Sequence, residues 1–384
     1  MTPLATESKL PATGVTIFTR MSQLAAEVGA LNLSQGFPDF DAPEPLLERV
    51  QHHLRSGANQ YAPMMGVPAL RVAVARKVAD LYGRRTDPDT EVTITSGATE
   101  ALYGAIAATV RPGDEVIIFE PAYDSYEPAV VLHGGVVRRV ALVAPEYRVD
   151  WDRVRSLMSD RTRLIITNTP HNPTGAVWTQ TDIEALQSIV RGSHSYVLAD
   201  EVYEHILFDG QRHESLCRYP ELFERSFIVS SFGKTYHVTG WKIGYCVAPA
   251  ALTVEFRKIH QYVTFTSNTP VQLGLADFLE AHPEHHQRLS NFYQRKRDRL
   301  LAGLSGSRFR WLPTAGTYFQ CLEYSAISDE PDTRWTEWLA RERGIALIPV
   351  SVFSKEPAGP AQVRVCFAND DDTLDRAAEL LCAL

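Results

Sequence analysis

Between Val92 and Val247 the sequence keeps returning to short apolar, β-branched runs, and this rhythm constrains the fold more than any other feature. Val92–Thr95, Glu115–Phe119, Val136–Val140, Leu164–Asn168, Tyr196–Asp200, Phe227–Ser231 and Ile243–Val247 read as strands. Runs this apolar suit strands covered on both faces. Helix-like stretches such as Thr99–Thr109 and Thr181–Val190 stand between them. The pattern predicts an α/β fold with a mostly parallel mixed sheet between helices, in which ligands sit beyond the carboxyl ends of the strands. The polar residues that close those runs are the first place to look for chemistry.

The two ends of the chain lack the rhythm. Residues 1–40 include much of an extended piece, Gln35-Gly-Phe-Pro-Asp-Phe-Asp-Ala-Pro43, and from Pro283 the sequence turns helical and charged. It then gives β-like runs at Gly316–Leu322, Ala346–Val350 and Val363–Phe367. The expected organisation is an N-terminal arm with part of a small domain in residues 1–40, a large domain in 41–282 and a small C-terminal domain in 283–384. The smaller α+β unit is thus built from both termini. A length of 384 residues at about 150 per domain agrees with this division.

Composition removes several function classes. With 46 acidic and 38 basic residues and a formal charge of −8, there is no basic excess to hold nucleic acid or an anionic membrane surface. No apolar run approaches the ~18 residues needed to span a bilayer. The amino terminus has no basic region followed by an apolar one. The five cysteines are scattered and form no CxxC, so neither a disulfide framework nor a zinc ribbon is expected. A cytoplasmic location follows as the expectation. Gly233-Lys234-Thr235 resembles the end of a phosphate-binding loop, but that pattern needs glycine where Ile228 stands. There is no GxGxxG after a strand, no HExxH and no GxSxG. His282, His285 and His286 could ligate a metal, but a solvated helix start is the simpler reading, and no metal is expected. Arg295-Lys-Arg-Asp-Arg299 likewise reads as a solvated helix face.

Three strand ends carry the chemistry. Leu164–Thr167 runs into Asn168-Thr-Pro-His-Asn172-Pro-Thr-Gly175, Tyr196–Ala199 into Asp200-Glu-Val-Tyr203, and Phe227–Val229 into Ser230-Ser231-Phe-Gly-Lys234. Taken singly these are a turn, a helix cap and a surface charge. Together they set an amide, a carboxylate, a phenol and a lysine along one sheet edge. Here the sequence is recognisable. Ser231-Phe-Gly-Lys234-Thr-Tyr-His-Val-Thr-Gly-Trp-Lys242-Ile-Gly-Tyr245 resembles the cofactor-lysine motif of class I, fold-type I aminotransferases, which use pyridoxal 5′-phosphate. Asn172-Pro-Thr-Gly175 and Asp200-Glu-Val-Tyr203 match the family's other signatures in the family's order. The resemblance runs from about Ile17 to the end, and it is strongest toward the bacterial methionine aminotransferases of the kynurenine/glutamine transaminase branch.

The resemblance implies a role for each matching residue. Lys234 would be the Schiff-base lysine and would carry a proton from the substrate α-carbon. Asp200 would face the pyridine nitrogen, which it would keep protonated. Asn172 and Tyr203 would bond the ring oxygen, and Tyr123 would stack on the ring. Ala98, Thr99, Ser231 and Lys242 would hold the phosphate; many relatives carry arginine in place of Lys242. Tyr61 would reach the phosphate of a neighbouring subunit, which implies a homodimer with shared sites. Arg364, helped by Asn172 and the Gly36 N–H, would clamp the substrate α-carboxylate, and Phe18 would line the side-chain pocket. Two of these residues keep an alternative: Tyr123 also suits a core, and Arg364 a buried ion pair.

The activity implied is transfer of the amino group of L-methionine, and of aromatic amino acids, to a 2-oxo acid in two half-reactions. Cysteine-S-conjugate β-elimination, or kynurenine–oxoglutarate transamination, is the alternative on the same residues. A DNA-binding regulator with this fold is opposed by the acidic balance and by the short stretch before Ile17.

Overall fold

The computed structural model describes residues 6–356 and 359–384. Its centre is a seven-stranded sheet in the order Val92–Thr95, Gly244–Val247, Ser226–Ser231, Tyr196–Asp200, Thr162–Asn168, Glu115–Glu120, Val136–Ala141. Gly244–Val247 runs antiparallel to both neighbours, and the remaining pairings are parallel. The seven strands expected for this sheet are present, with ends shifted by no more than two residues, but Val136–Ala141 lies at the sheet edge and is only partly buried. Of the later runs, Gly316–Leu322 is a strand only from Phe319 onward, and Ala346–Val350 divides between Ile345–Ala346 and Ile348–Pro349.

Alternation along buried strands sorts side chains onto two cores. Val116 and Ile118 point to one face, where they meet Ala101, Leu102 and Ala105 of the helix Gly97–Thr109, with Phe256. Ile117 and Phe119 point to the other, where Leu70, Val74 and Val78 of Pro68–Tyr82 and Ile183 and Leu186 of Gln180–Val190 cover the sheet. This is why both sets of positions read as apolar.

A second, three-stranded antiparallel sheet places Gln362–Cys366 between Ile348–Pro349 and Phe319–Glu323. Leu31–Asn32 pairs with Ile345–Ala346, and Met21, Leu24 and Ala25 of the helix Ile17–Val28 pack on Ala340, Ala346 and Ile348. The N-terminal segment is thereby tied to the last third of the chain. Among the described residues, no helix is long and apolar enough to cross a membrane.

Two expectations about the helix His285–Gly303 need correction. In the run read as a solvated face, Lys296 and Arg297 are buried. The Lys296 ammonium donates to the Asn369 carbonyl at 2.6 Å, and Arg297 is paired with Asp209 and donates to the Thr314 carbonyl at 2.8 Å. Long aliphatic stems let such residues lie inside while their heads find oxygen. The three histidines are half-buried rather than solvated. His285 stacks on Tyr236 at 5.2 Å, His286 meets His205 at 4.7 Å, and His282 meets Phe278 at 4.8 Å.

Candidate active site

The register of the large sheet sets its strand ends side by side. Asn168 pairs with Asp200, and Gly244 lies between Ser231 on one neighbour and Thr95 on the other. Thr95 leads through Ser96 into the helix Gly97–Thr109, so the start of that helix is delivered beside Ser231. A Cβ on Gly244 would lie 2.8 Å from the Ala98 nitrogen, and this approach is open only to glycine. One cavity collects Gly97, Ala98, Thr99, Tyr123, Asn168, Asn172, Asp200, Tyr203, Ser231, Lys234 and Lys242. Residues separated by more than a hundred positions thus share one site.

Two features of this cavity leave charge uncompensated. Among the described residues no side chain caps the helix Gly97–Thr109 from Ser96, and the Glu100 carboxylate of its first turn accepts from the Ser96 N–H, at 3.1 Å, whereas Gln180–Val190 closes its start with a Thr179/Asp182 capping box. An uncapped start aims backbone N–H groups and the positive end of the helix dipole outward, a ready anion site. The Lys242 ammonium lies close by, 3.3 Å from where a Cβ on Gly97 would be. The second feature is Asp200. Burial pushes its carboxyl up to about 6. The Tyr126 hydroxyl donates to Oδ2 at 2.6 Å and the Val202 N–H to Oδ1 at 3.3 Å. No cation forms a salt bridge with it among the described residues.

Lys234 sits in the short helix Phe232–Thr235 that follows the strand Ser226–Ser231. Its Nζ donates to the Gly36 carbonyl at 2.8 Å and lies 3.0 Å from the Tyr318 hydroxyl. Burial, with Arg364 and Lys242 nearby, lowers its ammonium to about 8. A downward shift toward physiological pH is what a nucleophilic or proton-accepting amine requires.

Arg364 lies in Gln362–Cys366 and is 0% exposed. It donates to Asn172 Oδ1 at 2.9 Å and to the Ser34 carbonyl at 3.1 Å, while its Nε has no partner among the described residues. Its guanidinium carbon lies 3.9 Å from the Phe319 ring centre, 5.2 Å from Phe18 and 5.8 Å from Phe353. Among the described residues no carboxylate pairs with it, so a buried ion pair within the chain does not account for it.

The remaining expected residues fall as follows. Tyr123 lines the cavity, with its phenol pushed up to about 12 by burial and by Asp124. Tyr203 packs edge-on against Tyr318 at 5.2 Å. Gly36 turns its carbonyl to Lys234 and to the Tyr318 hydroxyl. Tyr61 does not join the site of its own chain; it is 85% exposed and rests edge-on against Phe265. Sequence reasoning missed Tyr126, Tyr318, Phe319 and Phe353. The first had a signal, a second tyrosine three positions after Tyr123. Tyr318 and Phe319 lay inside a run read only as a strand.

A large mixed sheet whose carboxyl edge carries this lysine, carboxylate and amide defines a family. Residues 28–381 match the model of aminotransferase class I and II, and the chain belongs to that family and is an aminotransferase. It is similar to the methionine aminotransferase of Escherichia coli, with 56% identity over 379 residues that cover 99% of this chain and 98% of the relative. It also resembles the kynurenine–oxoglutarate transaminase of Dictyostelium discoideum, at 32% identity with 97% and 94% covered. Among solved structures it superposes on Escherichia coli YbdL, described as having a methionine aminotransferase function, with TM-score 0.97, 55% identity and both chains covered in full.

Proposed function

We propose that this aminotransferase uses pyridoxal 5′-phosphate and takes L-methionine as its preferred amino donor, with aromatic amino acids accepted and a 2-oxo acid as the second substrate. The observation that carries the reading is Arg364, a buried guanidinium with a free Nε and no carboxylate partner, ringed by phenylalanines beside the Lys234 cavity. Such a site asks for a carboxylate attached to an apolar, polarisable side chain, and methionine packs well against aromatic rings.

The donor set fits the cofactor. The open start of Gly97–Thr109, with the Ala98 and Thr99 N–H groups, the Ser231 hydroxyl and the Lys242 ammonium, suits a phosphate dianion. Asp200, buried without a cation, suits a protonated ring nitrogen. When bound, pyridoxal phosphate supplies the electron sink for the carbanion formed at the substrate α-carbon. Asp200 would hold the proton at the ring nitrogen, Asn172 and Tyr203 would orient the ring, and Tyr123 would pack against it. Arg364 fixes the α-carboxylate so that the Cα–H bond is held in a productive direction. The Lys234 amine would take the proton from Cα of the donor and deliver it to the C4′ carbon of the cofactor within the same half-reaction, and would run that transfer in reverse when the 2-oxo acid receives the amine.

The rest of the reading concerns assembly. An exposed Tyr61 beside Phe265 supports a homodimer in which Tyr61 completes the phosphate site of the partner. The division into residues 1–40, 41–282 and 283–384, and a cytoplasmic location, belong to the same proposal. The test is the absorption spectrum of the loaded protein with L-methionine and then a 2-oxo acid, beside Lys234→Ala. Loss of the cofactor band with methionine and its return with the oxo acid is the expected result. A band that methionine leaves untouched would sink the methionine assignment. Pyruvate and ammonia from a cysteine conjugate without an oxo acid would establish β-elimination instead.

A further inference from the structure

The strand end at Asp200 holds one contact that the proposed mechanism has not used. Tyr126 opens the helix Tyr126–Leu132 and is buried. Its hydroxyl crosses 74 positions of sequence to donate to Asp200 Oδ2 at 2.6 Å. Its ring stands edge-on to Tyr123, with centres 5.7 Å apart. One side chain therefore touches both the carboxylate and the aromatic that line the cavity, and it lies outside the lining itself.

We propose, resting on the cofactor reading above, that Tyr126 is a positioning residue. By donating to Oδ2, it fixes the rotation of the Asp200 carboxylate, keeps it ionised and reserves Oδ1 for a protonated ring nitrogen. Among the described residues Oδ1 is otherwise engaged only by the Val202 N–H, at 3.3 Å. A phenol suits the task because it stays neutral. Burial and the adjacent Asp200 charge hold Tyr126 well above the usual phenol range, so the proton remains on its oxygen and is donated. Hydrogen bonding to the charged form of a carboxylate favours that form, against the burial that disfavours it. The other groups facing Asp200 are the Lys234 ammonium from Phe232–Thr235, Tyr123 from the segment after Glu120, and Glu201 and Tyr203 on its own side. Of these side chains, only Tyr126 donates to its carboxylate.

The experiment compares Tyr126→Phe, Asp200→Asn and the double variant, with thermal melts as the check on folding. The readout is the dissociation constant of pyridoxal phosphate, by equilibrium dialysis, from pH 5 to 9. Tyr126→Phe is expected to weaken binding about tenfold at neutral pH, and to move the acid limb of binding upward by about one unit. In the Asp200→Asn background the same change should have no effect, because the carboxylate through which it acts is gone. Tyr126→His serves as the second variant, since an imidazole N–H restores a donor and should recover part of the loss. Equal weakening in both backgrounds, an acid limb that stays in place, or no rescue by histidine would each overturn the proposal. A wild-type chain that fails to bind the cofactor would instead overturn the reading on which it rests.

Discussion

Asp200, the last residue of the strand Tyr196–Asp200, and Glu204, in the turn that follows, are buried carboxylates four positions apart, yet their surroundings pull them in opposite directions. Burial alone would push Glu204 up. Instead the Lys77 ammonium at 2.6 Å and donors from Tyr245, Ser230 and Tyr82 hold it well below the usual carboxylate range. Asp200 has one tyrosine hydroxyl and a long backbone contact, and burial wins, at about 6. A buried acid whose charge is answered within the chain is scaffold, and one whose charge is left open is a place for a cationic ligand. The two helix starts differ in the same way. The capped Gln180–Val190 is finished, and the uncapped Gly97–Thr109 is available.

The contrast can be broken by mutation, and the largest effect belongs to the open region. Lys234→Ala should lower kcat/KM for methionine, the proposed donor, by about 10²–10⁴-fold, as loss of the proposed proton-transfer group would, with the melting temperature little changed. Glu204→Gln should do the reverse. It strands the Lys77 ammonium inside, which costs about 3–5 kcal/mol, read as a lower denaturant midpoint while folded molecules keep most of their activity. Wild-type stability in Glu204→Gln would erase the distinction. The pH dependence of the cofactor-free protein sharpens it. Asp200 is raised, so its ionisation penalty is absent below about pH 4 and grows as pH rises toward 6. Glu204 is lowered, so its contribution is complete above its ordinary 4.5 and is lost as pH falls below that. Asp200→Asn should therefore leave stability near pH 4 unchanged and raise it at pH 7 by at most about 3 kcal/mol, measured by urea unfolding.

The open region was also the legible one. Asp200 closes an apolar strand and Asn172 and Lys234 follow shortly after two others, so that sequence order sets them along one edge once the strands are found. Strands covered on both faces announce themselves by composition, and all of them appeared. What sequence reading missed depends on contacts between distant segments. Nothing local distinguishes Lys296 and Arg297 from solvated cations until Asn369, Asp209 and Thr314 arrive to receive them. Tyr126 reads as an ordinary aromatic until the sheet brings Asp200 to it. The phenylalanines around Arg364 come from three separate parts of the chain, and only Phe18 was found, through resemblance rather than periodicity.

Smaller effects test whether the open region is built for fork-shaped recognition. Arg364→Lys keeps the charge but loses the planar pair of donors, and the KM for methionine should rise about tenfold or more with a smaller change in kcat. An unchanged KM would remove Arg364 from the carboxylate site.

The smallest expected effect sets two tyrosines against each other. Tyr245 donates to Glu204 at 2.9 Å much as Tyr126 donates to Asp200 at 2.6 Å. Glu204 keeps Lys77, Ser230 and Tyr82 when one hydroxyl is removed. Tyr245→Phe should therefore cost about 1 kcal/mol of stability, seen as a small drop in the denaturant midpoint, and should leave the pH limb of cofactor binding where it was. The ion pair that remains still holds the carboxylate charged, so the missing hydroxyl is a loss of two hydrogen bonds, one donated to Glu204 and one accepted from Lys77, rather than a change of charge state. A limb that moves with Tyr245→Phe as far as with Tyr126→Phe would mean that the two acids form one coupled network, and that the division between scaffold and site does not fall between them.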